Sequence, residues 1–565
     1  MREIDRLTTE RYATPSLFLM ESAAAASVRA IAARWPEGLA GKSFLVLCGR
    51  GNNGGDGAAL ARQLCLQGAF VDVALLGRVE DAKGDARTNF EIAHSLATGH
   101  RSERLHHAGT AETYGMKLFT NSWAYLNFTE CTTQEEWSAF INSPQHPPDI
   151  IIDALFGTGL TRPLEGLPRE AVGYINRFRA VSQERGANRF VVSLDIPSGL
   201  NADVAAPIGA AVAADLTVTF TAPKPANVLP PASHFNGALV VADIGSPFKL
   251  LEECDSQLFT SEAADARCWL EQTRYTPDSY KNTHGHALII AGSRHMTGAP
   301  VLTCEAAMRA GAGLVTVATP TSAHAAVAAR VMPEVMTAAL AETEAGAISE
   351  DALDEVQRLT ERANVVALGP GLTADDERTR RFVRAFVEQR MTPLVVDADG
   401  LNALAPWPAE LCGTTERPLV LTPHVGEMRR LLGRDEKDAL ADRVAVARTF
   451  ATAHKLLLVL KGARTLVAAP DGRVVVNSTG NAGLGTAGAG DTLTGIITGC
   501  LAQAYGTLKD KADAFQAVVA AVYLAGLAGD LAARARGMRT MVASDIREHL
   551  SAAVRALDAA GEEPR

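Results

Sequence analysis

Short apolar segments alternate with amphipathic ones through the first half of the chain. Six of them are rich in Val, Ile, Leu and Phe, which is typical of strands buried on both faces. Because helical patterns separate them, they predict a parallel, doubly wound α/β sheet. The predicted strands are Phe44–Cys48, Val71–Leu76, Ile150–Ala154, Phe190–Asp195, Leu216–Phe220 and Ala238–Ala242.

A second alternating series predicts a second, separate sheet farther along the chain. A charged stretch lies between the two series and is interpreted as a linker that packs locally. The predicted boundaries are 1–248 for the first domain, 249–274 for the linker and 275–555 for the second domain. The second set of strands is Ala287–Ala291, Leu314–Ala318, Val365–Leu368, Leu394–Asp397, Leu419–Leu421, Leu456–Leu460 and Thr465–Ala468.

Two segments depart from this alternation. Residues His100–Pro148 show no clear periodicity and are left unassigned. Residues Ala514–Gly529 are apolar, but they contain Gln516 and are shorter than the roughly 18 apolar residues of a membrane span, so we predict a buried helix.

Composition narrows the class of protein. A chain of 565 residues with 47% hydrophobic residues has enough apolar surface for two to four domains. A net charge of −10 disfavours a nucleic-acid binder. The eight cysteines include no CxxC pair and are interpreted as reduced thiols, so we expect a cytoplasmic protein without a membrane segment.

Two glycine-aspartate motifs of different design point to two active sites. The first, Asn52–Gly57, follows a predicted strand and precedes a helical pattern, so its backbone N–H groups are expected in a strand-to-helix turn facing an anion. The second, Gly485–Asp491, opens the helical pattern Thr492–Leu501, and this places an aspartate beside N–H groups at a helix N-terminus. Such an arrangement suits a transferring phosphoryl group.

In the first half, the motif Asn52–Gly57 and three further polar segments follow predicted strands, where an open parallel sheet binds ligands. The three segments are Asp153–Pro163, Asp195–Leu200 and Thr221–Pro225. Asp153, with the Asn53 amide and Ser198, offers hard oxygen ligands for a cation; alternatively, Asp153 caps the following turn. Asp195 is either a turn residue or an acid/base.

Together these motifs resemble the NAD(P)H-hydrate epimerase family, over roughly Met1–Phe248. The resemblance implies a Rossmann-like three-layer domain that interconverts the R and S forms of hydrated NADH and NADPH (NADHX and NADPHX), with potassium near the site. It implies that Asn53, Asp153 and Ser198 hold potassium and that Asp195 is catalytic. The implied substrate residues are Asn52, Asn53, Gly54, Gly55, Asp56, Gly157, Thr158, Gly159, Leu160, Thr161, Arg162, Pro163 and Asp195.

The second half carries a different set of motifs, almost all at predicted strand ends. Phosphoryl transfer needs a donor-rich cradle and a carboxylate that orients the attacking hydroxyl, and Gly488–Gly490 with Asp491 supply both. Lys461 is either a phosphate contact or an ordinary strand-end charge. His424 lies in a predicted turn, and the residues alone leave open whether it contacts a ligand. Asp397 and Asp399 either bind magnesium through water or cap a turn.

These motifs resemble the ADP/ATP-dependent NAD(P)H-hydrate dehydratase family, of ribokinase-like α/β fold, over roughly Tyr275–Leu550. The resemblance implies phosphorylation of the hydrate hydroxyl by ADP or ATP with Mg²⁺, followed by loss of phosphate. Asp491 would be the base. The implied S-hydrate contacts are Ala299, Gly371, His424 and Asp491, and the implied nucleotide contacts are Lys461, Gly462, Ala463, Arg464, Thr465 and Gly490.

The leading hypothesis is therefore a bifunctional repair enzyme that epimerises the hydrates and dehydrates the S form. We expect a homo-oligomer. Two rival hypotheses remain at this stage: a kinase for a vitamin precursor, and a first domain that is a noncatalytic nucleotide-sensing or RNA-associated module.

Overall fold

The computed structural model describes residues 1–107, 125–142, 147–185, 189–434 and 436–559. The chain divides into two compact units, Met1–Asp255 and Ser256–Arg565. Part of the stretch predicted as a linker is built into the second unit, where Leu258–Thr260 forms a strand of its sheet. All eight cysteines are unpaired, as predicted.

In its described residues, the first unit has a seven-stranded parallel sheet in the order β3-β2-β1-β4-β5-β6-β7. Its strands are β1 (Ser43–Cys48), β2 (Phe70–Leu76), β3 (Tyr125–Cys131), β4 (Ile150–Ala154), β5 (Phe190–Leu194), β6 (Leu216–Phe220) and β7 (Ala238–Ala242). Its helices are α1 (Arg2–Tyr12), α2 (Ser16–Ala32), α3 (Asn52–Leu66), α4 (Gly84–His107), α5 (Gln134–Asn142), α6 (Gly166–Arg185), α7 (Pro225–Val228) and α8 (Phe248–Glu252).

This first unit has three layers, because its central strands are apolar on both faces. In β1, Phe44 and Val46 pack with helices α2, α3 and α4, whereas Leu45 and Leu47 pack with α5 and α6. The six predicted strands are confirmed. The pattern did not predict β3, which lies in the unassigned segment His100–Pro148; much of that segment falls outside the described residues.

The second unit has, among its described residues, a ten-stranded sheet in the order β11-β10-β9-β12-β13-β14-β15-β16-β17-β8. It is parallel except where β16 pairs with its two neighbours. Its strands are β8 (Leu258–Thr260), β9 (His286–Ile290), β10 (Leu314–Pro320), β11 (Met336–Leu340), β12 (Val365–Leu368), β13 (Leu394–Val396), β14 (Leu419–Leu421), β15 (Leu457–Leu460), β16 (Leu466–Ala468) and β17 (Val474–Val476).

Eleven helices surround this sheet in the described part of the second unit. They are α9 (Ala263–Gln272), α10 (Gly298–Arg309), α11 (Thr321–Ala328), α12 (Leu353–Thr360), α13 (Glu377–Glu388), α14 (Asp399–Ala403), α15 (Val425–Leu432), α16 (Arg443–Ala453), α17 (Ala489–Thr507), α18 (Ala514–Arg536) and α19 (Ala543–Ala559). Helix α18 is long and apolar enough to cross a membrane by length and composition, but 67% of its apolar window is buried against the protein, as the predicted buried helix requires.

The first glycine motif is not the turn that the sequence predicted. Helix α3 begins at Asn52, so the glycines of Asn52–Gly57 lie in its first turns, and the strand-to-helix turn is Gly49–Gly51. A Cβ on Gly54 would lie 1.7 Å from the carbonyl oxygen of Gly49, and one on Gly57 would lie 2.5 Å from Ala154 Cβ. These glycines therefore allow the helix to pack tightly against β1 and β4, although glycine is a poor helix former.

We predict that Gly54→Ala destabilises the protein by roughly 3 kcal/mol, because the new methyl group meets backbone atoms that cannot rotate away. Gly173→Ala in helix α6 is the matched control, since a Cβ there meets only the flexible end of Arg177 at 3.3 Å. We expect this control to stabilise slightly, by up to about 1 kcal/mol. Thermal and chemical unfolding measure both; equal stability of the two variants would contradict the packing role.

Candidate active sites

A cavity of about 610 Å³ opens at the carboxyl ends of the first sheet's strands. Its wall includes seven of the residues predicted to bind substrate: Asn52, Asn53, Asp56, Gly157, Thr158, Gly159 and Asp195. The other six do not line it: Gly54, Gly55, Leu160, Thr161, Arg162 and Pro163. Gly54 and Gly55 are buried in the helix packing, and Leu160 is part of the apolar core.

Asp195 follows β5 and has a left-handed backbone conformation, with φ at 65°. Non-glycine residues adopt this conformation at a cost, and such strain is common at functional sites. Its carboxylate accepts a hydrogen bond from Thr219 Oγ1 at 3.3 Å and forms a buried ion pair with Lys224. A Cβ on Gly157 would lie 3.2 Å from Asp195 Oδ2 and 3.4 Å from Asn53 Oδ1, so glycine leaves room for both side chains.

Lys224 is the main residue that the sequence analysis missed. Its ammonium donates to Asp195, to Thr219 Oγ1 at 2.9 Å and to the carbonyl oxygen of Phe220 at 2.9 Å, which uses all three of its N–H groups. The side chain is only 5% exposed and lines the cavity. Its segment Thr221–Pro225 was recognised as a strand-end motif, but a single lysine in that motif carried no further signal.

Two further carboxylates, Asp56 and Asp5, line the same cavity. Burial and the nearby Asp195 carboxylate raise the pKa of Asp56 well above its usual value. Burial also raises the pKa of Asp5, which lies on helix α1. The guanidinium of Arg2 packs close to Gly159, where an added Cβ would lie 2.7 Å from Nη2. Asp5 and Arg2 were not predicted, because no motif distinguishes them in helix α1.

Of the predicted potassium ligands, Asn53 lines the cavity, whereas Asp153 and Ser198 are hydrogen-bonded to each other and are not part of its wall. Asp153 is fully buried and accepts hydrogen bonds from Ser193 Oγ at 2.8 Å and from the backbone and hydroxyl of Ser198 at 2.8 and 2.5 Å. By contrast, both polar atoms of the Asn53 amide are buried without a partner in the described residues. An unpartnered buried amide oxygen suits a hard cation, so Asn53 fits a potassium site, whereas the Asp153 oxygens are already occupied by hydrogen bonds.

The second site is built around a buried ion pair. Asp397 follows β13, and its two carboxylate oxygens accept from Lys461 Nζ and from Thr494 Oγ1 of helix α17, each at 2.7 Å. Burial alone would raise the pKa of Asp397, but the Lys461 ammonium and these hydrogen bonds hold it below its usual value. Asp397 thus joins two strand ends to the helix. Its oxygens are occupied, which favours this structural role over magnesium binding.

The second glycine motif lies where the sequence predicted it, at the N-terminus of α17. Gly488 is the N-cap with φ at 81°, so the first-turn N–H groups are free of helical acceptors. A Cβ on Gly490 would lie 3.3 Å from Lys461 Nζ, which brings the motif beside the ion pair. Burial and the neighbouring Asp397 raise the pKa of Asp491 to about 6. An acceptor of this pKa is suited to general-base chemistry near neutral pH.

Residues Lys461–Thr465 form the turn between the antiparallel strands β15 and β16. Arg443 of helix α16 donates to the carbonyl oxygens of Ala463 at 2.9 Å and Leu460 at 3.4 Å, and its guanidinium lies against Gly462. Arg443 was not predicted, and it fixes the turn from a distant element. Lys461 also lies 3.9 Å from Glu427, so the lysine is surrounded by carboxylates.

The residues predicted to contact the S-hydrate fall in two places. Gly371 has φ at 69°, and a Cβ on it would lie 3.2 Å from Ala299 Cβ, so these two residues are adjacent. His424 is the N-cap of α15, where Nδ1 accepts from the N–H groups of Gly426 and Glu427 at 2.9 and 3.2 Å. This capping role leaves Nε2, which lies 3.5 Å from Glu427 Oε1, as the ring nitrogen not used by the cap. His424 also bridges to Lys461 in the sheet, which ties it to the turn.

Asp399 caps a turn, which was one of the two roles considered for it beside magnesium binding. Its Oδ2 accepts from the backbone N–H of Thr373 at 3.0 Å and its Oδ1 from Asn402 Nδ2 at 3.3 Å. No group of three or more His, Cys, Asp or Glu side chains able to hold a metal occurs in the described part of the chain.

Comparison with known proteins identifies both halves. A family model described as NAD(P)H-hydrate dehydratase matches residues 287–552, and one described as YjeF-related protein N-terminus matches residues 16–226. The bifunctional NAD(P)H-hydrate repair enzyme Nnr of Moorella thermoacetica is 40% identical over 560 residues, covering 99% of this chain and 96% of that protein. The Escherichia coli K12 protein of the same name is 32% identical over 506 residues, covering 89% and 84%.

Among solved structures, the ADP/ATP-dependent NAD(P)H-hydrate dehydratase of Bacillus subtilis, co-crystallised with ATP and Mg²⁺, is 29% identical. The match covers 53% of this chain and 98% of that one, with a TM-score of 0.45.

We predict that Lys461→Met destabilises the second unit by about 3–5 kcal/mol at neutral pH, because it leaves the buried Asp397 charge without a partner. The wild-type pKa of Asp397 is depressed, so the pair stabilises above the unfolded-state pKa of about 3.9 and loses this effect as the pH falls through the folded-state pKa. The loss in the variant should therefore shrink below about pH 4.

Adding Asp397→Asn to Lys461→Met should recover part of the stability, since no buried charge then remains. Lys511→Met, at an exposed lysine of the same unit, is the control and should change stability by less than about 0.5 kcal/mol. Urea unfolding between acid and neutral pH measures these differences. A Lys461→Met effect that does not depend on pH would contradict the ion-pair explanation.

Proposed function

This chain belongs to the family of bifunctional NAD(P)H-hydrate repair enzymes, and from that premise we propose which of its residues carry each activity. The first unit is the NAD(P)H-hydrate epimerase, and the second is the ADP/ATP-dependent (S)-NAD(P)H-hydrate dehydratase. Together they return both epimers of NADHX and NADPHX to NADH and NADPH. The residue assignments depend on two carboxylates, Asp195 and Asp491, each at a strand or helix end that can face a ligand.

In the epimerase, Asp195 is the catalytic carboxylate. Two features support this role: its strained backbone holds the carboxylate at the cavity, and the buried ion pair with Lys224 orients it. Asn52, Asn53 and Asp56 contact the hydrated ring. The segment Gly157–Pro163 cradles the phosphates, with Gly157, Thr158 and Gly159 at the cavity wall.

In the dehydratase, Asp491 is the base that accepts the proton of the hydrate hydroxyl as that oxygen attacks the terminal phosphate of the nucleotide. Hydroxide is a poor leaving group, whereas phosphate leaves readily from the ester, which then eliminates to restore the nicotinamide. The N–H groups of Gly488–Gly490 and the Lys461 ammonium stabilise the charge on the transferring phosphoryl group.

The remaining assignments follow from the family resemblance. Lys461, Gly462, Ala463, Arg464, Thr465 and Gly490 contact the nucleotide. Ala299, Gly371, His424 and Asp491 contact the S-hydrate.

Magnesium enters with the nucleotide. A magnesium ion bound through phosphates and water needs few protein ligands, which fits a site whose carboxylates are already engaged with Lys461 and backbone groups. When bound, it supplies charge neutralisation on the phosphates. Potassium is the proposed cation of the epimerase, held by Asn53 with Asp153 and Ser198.

Membership of this family disfavours both rival hypotheses, the vitamin-precursor kinase and the noncatalytic first domain. A cytoplasmic location, a homo-oligomeric state and the absence of nucleic-acid or membrane partners stay predictions.

We predict that replacing Asp195 abolishes only the epimerase activity and that replacing Asp491 abolishes only the dehydratase activity. With a mixture of R- and S-hydrate and ADP, the recovery of nicotinamide absorbance by Asp195→Ala should stop once the S form is consumed. Asp491→Ala should restore no nicotinamide absorbance. General-base catalysis contributes about 10²- to 10⁴-fold, so the Asp491 variant should lose at least about 100-fold in kcat. Wild-type dehydration of the S form should rise with pH through about 6, as Asp491 ionises.

Asp203→Ala and Asp375→Ala are the controls for the two units, because both aspartates are exposed. They should retain both activities. Full use of the R form by Asp195→Ala, or dehydration by Asp491→Ala at the wild-type rate, would overturn the corresponding assignment.

We predict that potassium stabilises the wild-type protein but not the Asn53→Ala variant. A cation at about a hundredfold its dissociation constant adds about 2.7 kcal/mol to the free energy of unfolding of the state that binds it. Thermal unfolding in KCl and in tetramethylammonium chloride of equal ionic strength separates binding from screening. An identical response of both proteins to potassium would remove Asn53 from the ligand set.

A further inference from the structure

The epimerase cavity holds two carboxylates in contrasting surroundings. Asp195 is bonded to a buried ammonium group, that of Lys224. Asp56, from helix α3, lines the same cavity and has no hydrogen-bond partner for its side chain in the described residues. An ion pair favours the charged form of a carboxyl group, whereas a partnerless site among other acids favours the protonated form. The two groups are therefore prepared for opposite halves of a proton-transfer reaction.

We propose that Asp56 is the proton donor and Asp195 the proton acceptor in epimerisation, and that Lys224 is the positioning residue that keeps these two roles apart. This inference rests on the proposed function of the first unit and deepens it. The family resemblance made Asp56 a substrate contact and gave Lys224 no role.

The chemistry requires two such groups. The hydrate carbon is bonded to both the hydroxyl oxygen and the ring nitrogen. Asp195 removes the hydroxyl proton as the carbon–nitrogen bond breaks; the oxygen then forms a carbonyl group, and the bonding electron pair moves to nitrogen. Asp56 delivers a proton to that nitrogen. After rotation of the carbonyl group, both transfers run in reverse on its other face, so the configuration inverts without a change in oxidation state or proton count.

The electrostatic surroundings favour Asp56 over Asp5 as the donor. The charged group that acts most strongly on Asp56 is Asp195, which places the two near each other. For Asp5 the amino group of residue 1 and Lys224 act more strongly than Asp195. Asp56 also lies beside Asn52 and Asn53 on helix α3, the two residues proposed to contact the hydrated ring.

Charged groups from several elements determine the titration of Asp56. Burial, Asp195 and Asp5 raise its pKa, and Lys224 opposes them. The other charged side chains at the cavity wall are Arg2, Arg50 and Asp85. Because the pKa of Asp56 is raised, its donor form persists as the pH rises and is lost only above that raised pKa. Epimerase turnover should therefore fall on the alkaline side as Asp56 loses its proton.

The first test is Asp56→Asn, which keeps the shape of the side chain but cannot transfer a proton. We expect epimerase kcat on the R-hydrate to fall at least about 100-fold with little change in KM, and the alkaline limb of the pH profile to disappear. Dehydration of the S-hydrate should be unchanged. A rise in KM with wild-type kcat would make Asp56 a binding contact only and would overturn the proposal.

The second test is Lys224→Met. Without the ammonium, the Asp195 carboxylate loses the partner that positions it at the cavity, so kcat on the R-hydrate should fall with little change in KM, and Lys224→Arg should restore part of the loss. A purely structural role would lower the amount of folded enzyme without changing the kcat of the folded fraction. Asp203→Asn is the control, and circular dichroism verifies folding. A wild-type kcat in folded Lys224→Met would overturn the proposal.

These outcomes separate this inference from the proposed function. If Asp195→Ala epimerises at the wild-type rate, the assignment of the site itself fails. If Asp195→Ala is inactive while Asp56→Asn keeps wild-type kcat, only the division of roles fails. If Asp56→Asn does not fold, the pH profile of wild-type epimerase turnover tests the proposal instead. The absence of an alkaline limb from that profile would exclude a titrating donor and overturn the proposal.

Discussion

Each unit depends on a buried aspartate that is paired with a buried lysine at the carboxyl ends of parallel strands. Asp195 pairs with Lys224 in the first unit, and Asp397 pairs with Lys461 in the second. A carboxylate in such a position loses its hydration, and the cost is several kcal/mol unless a cation and further hydrogen bonds replace the water. In both units the lysine comes from another strand end, so the ion pair fixes the relative position of two loops at the ligand-binding edge.

The aspartate–lysine ion pair has a different role in each unit. In the epimerase, the paired carboxylate itself lines the cavity, and the lysine holds it there in an ion pair. In the dehydratase, the paired carboxylate is 1% exposed and occupied on both oxygens, while the neighbouring Asp491 has no ion-pair partner among the described residues and its pKa is raised to about 6. The paired aspartate there holds Lys461 beside Gly490, and Asp491 is left available for the base role proposed for it.

Sequence patterns predicted the central strands well, because these strands are apolar on both faces. They did not predict β3, β8 and β11, which lie at sheet edges, where fewer positions are buried; in β3, polar residues such as Asn127 and Thr129 interrupt the run. They also did not predict β17, a buried strand of only three residues between β16 and β8. The glycine motif of α3 was misplaced for a related reason. Glycine in a sequence favours a turn, whereas these glycines allow the helix to pack close to the strand ends. Only the folded structure reveals that packing.

Motifs marked the site segments but not which of their residues act there: Lys224 was missed inside a recognised motif, and Asp5 and Arg443 were missed outside any motif. Asp195 and Asp491 stand in distinctive strand-end or glycine segments, whereas Lys224, Asp5 and Arg443 reach their sites through pairing of distant elements. Their contribution is electrostatic and depends on distances that no local pattern encodes. A glycine-rich motif therefore predicts where a phosphate or ring binds, while the surroundings of the proposed catalytic carboxylates depend on groups far away in the sequence. This is why the chemistry of both sites had to be argued from ion pairs and burial.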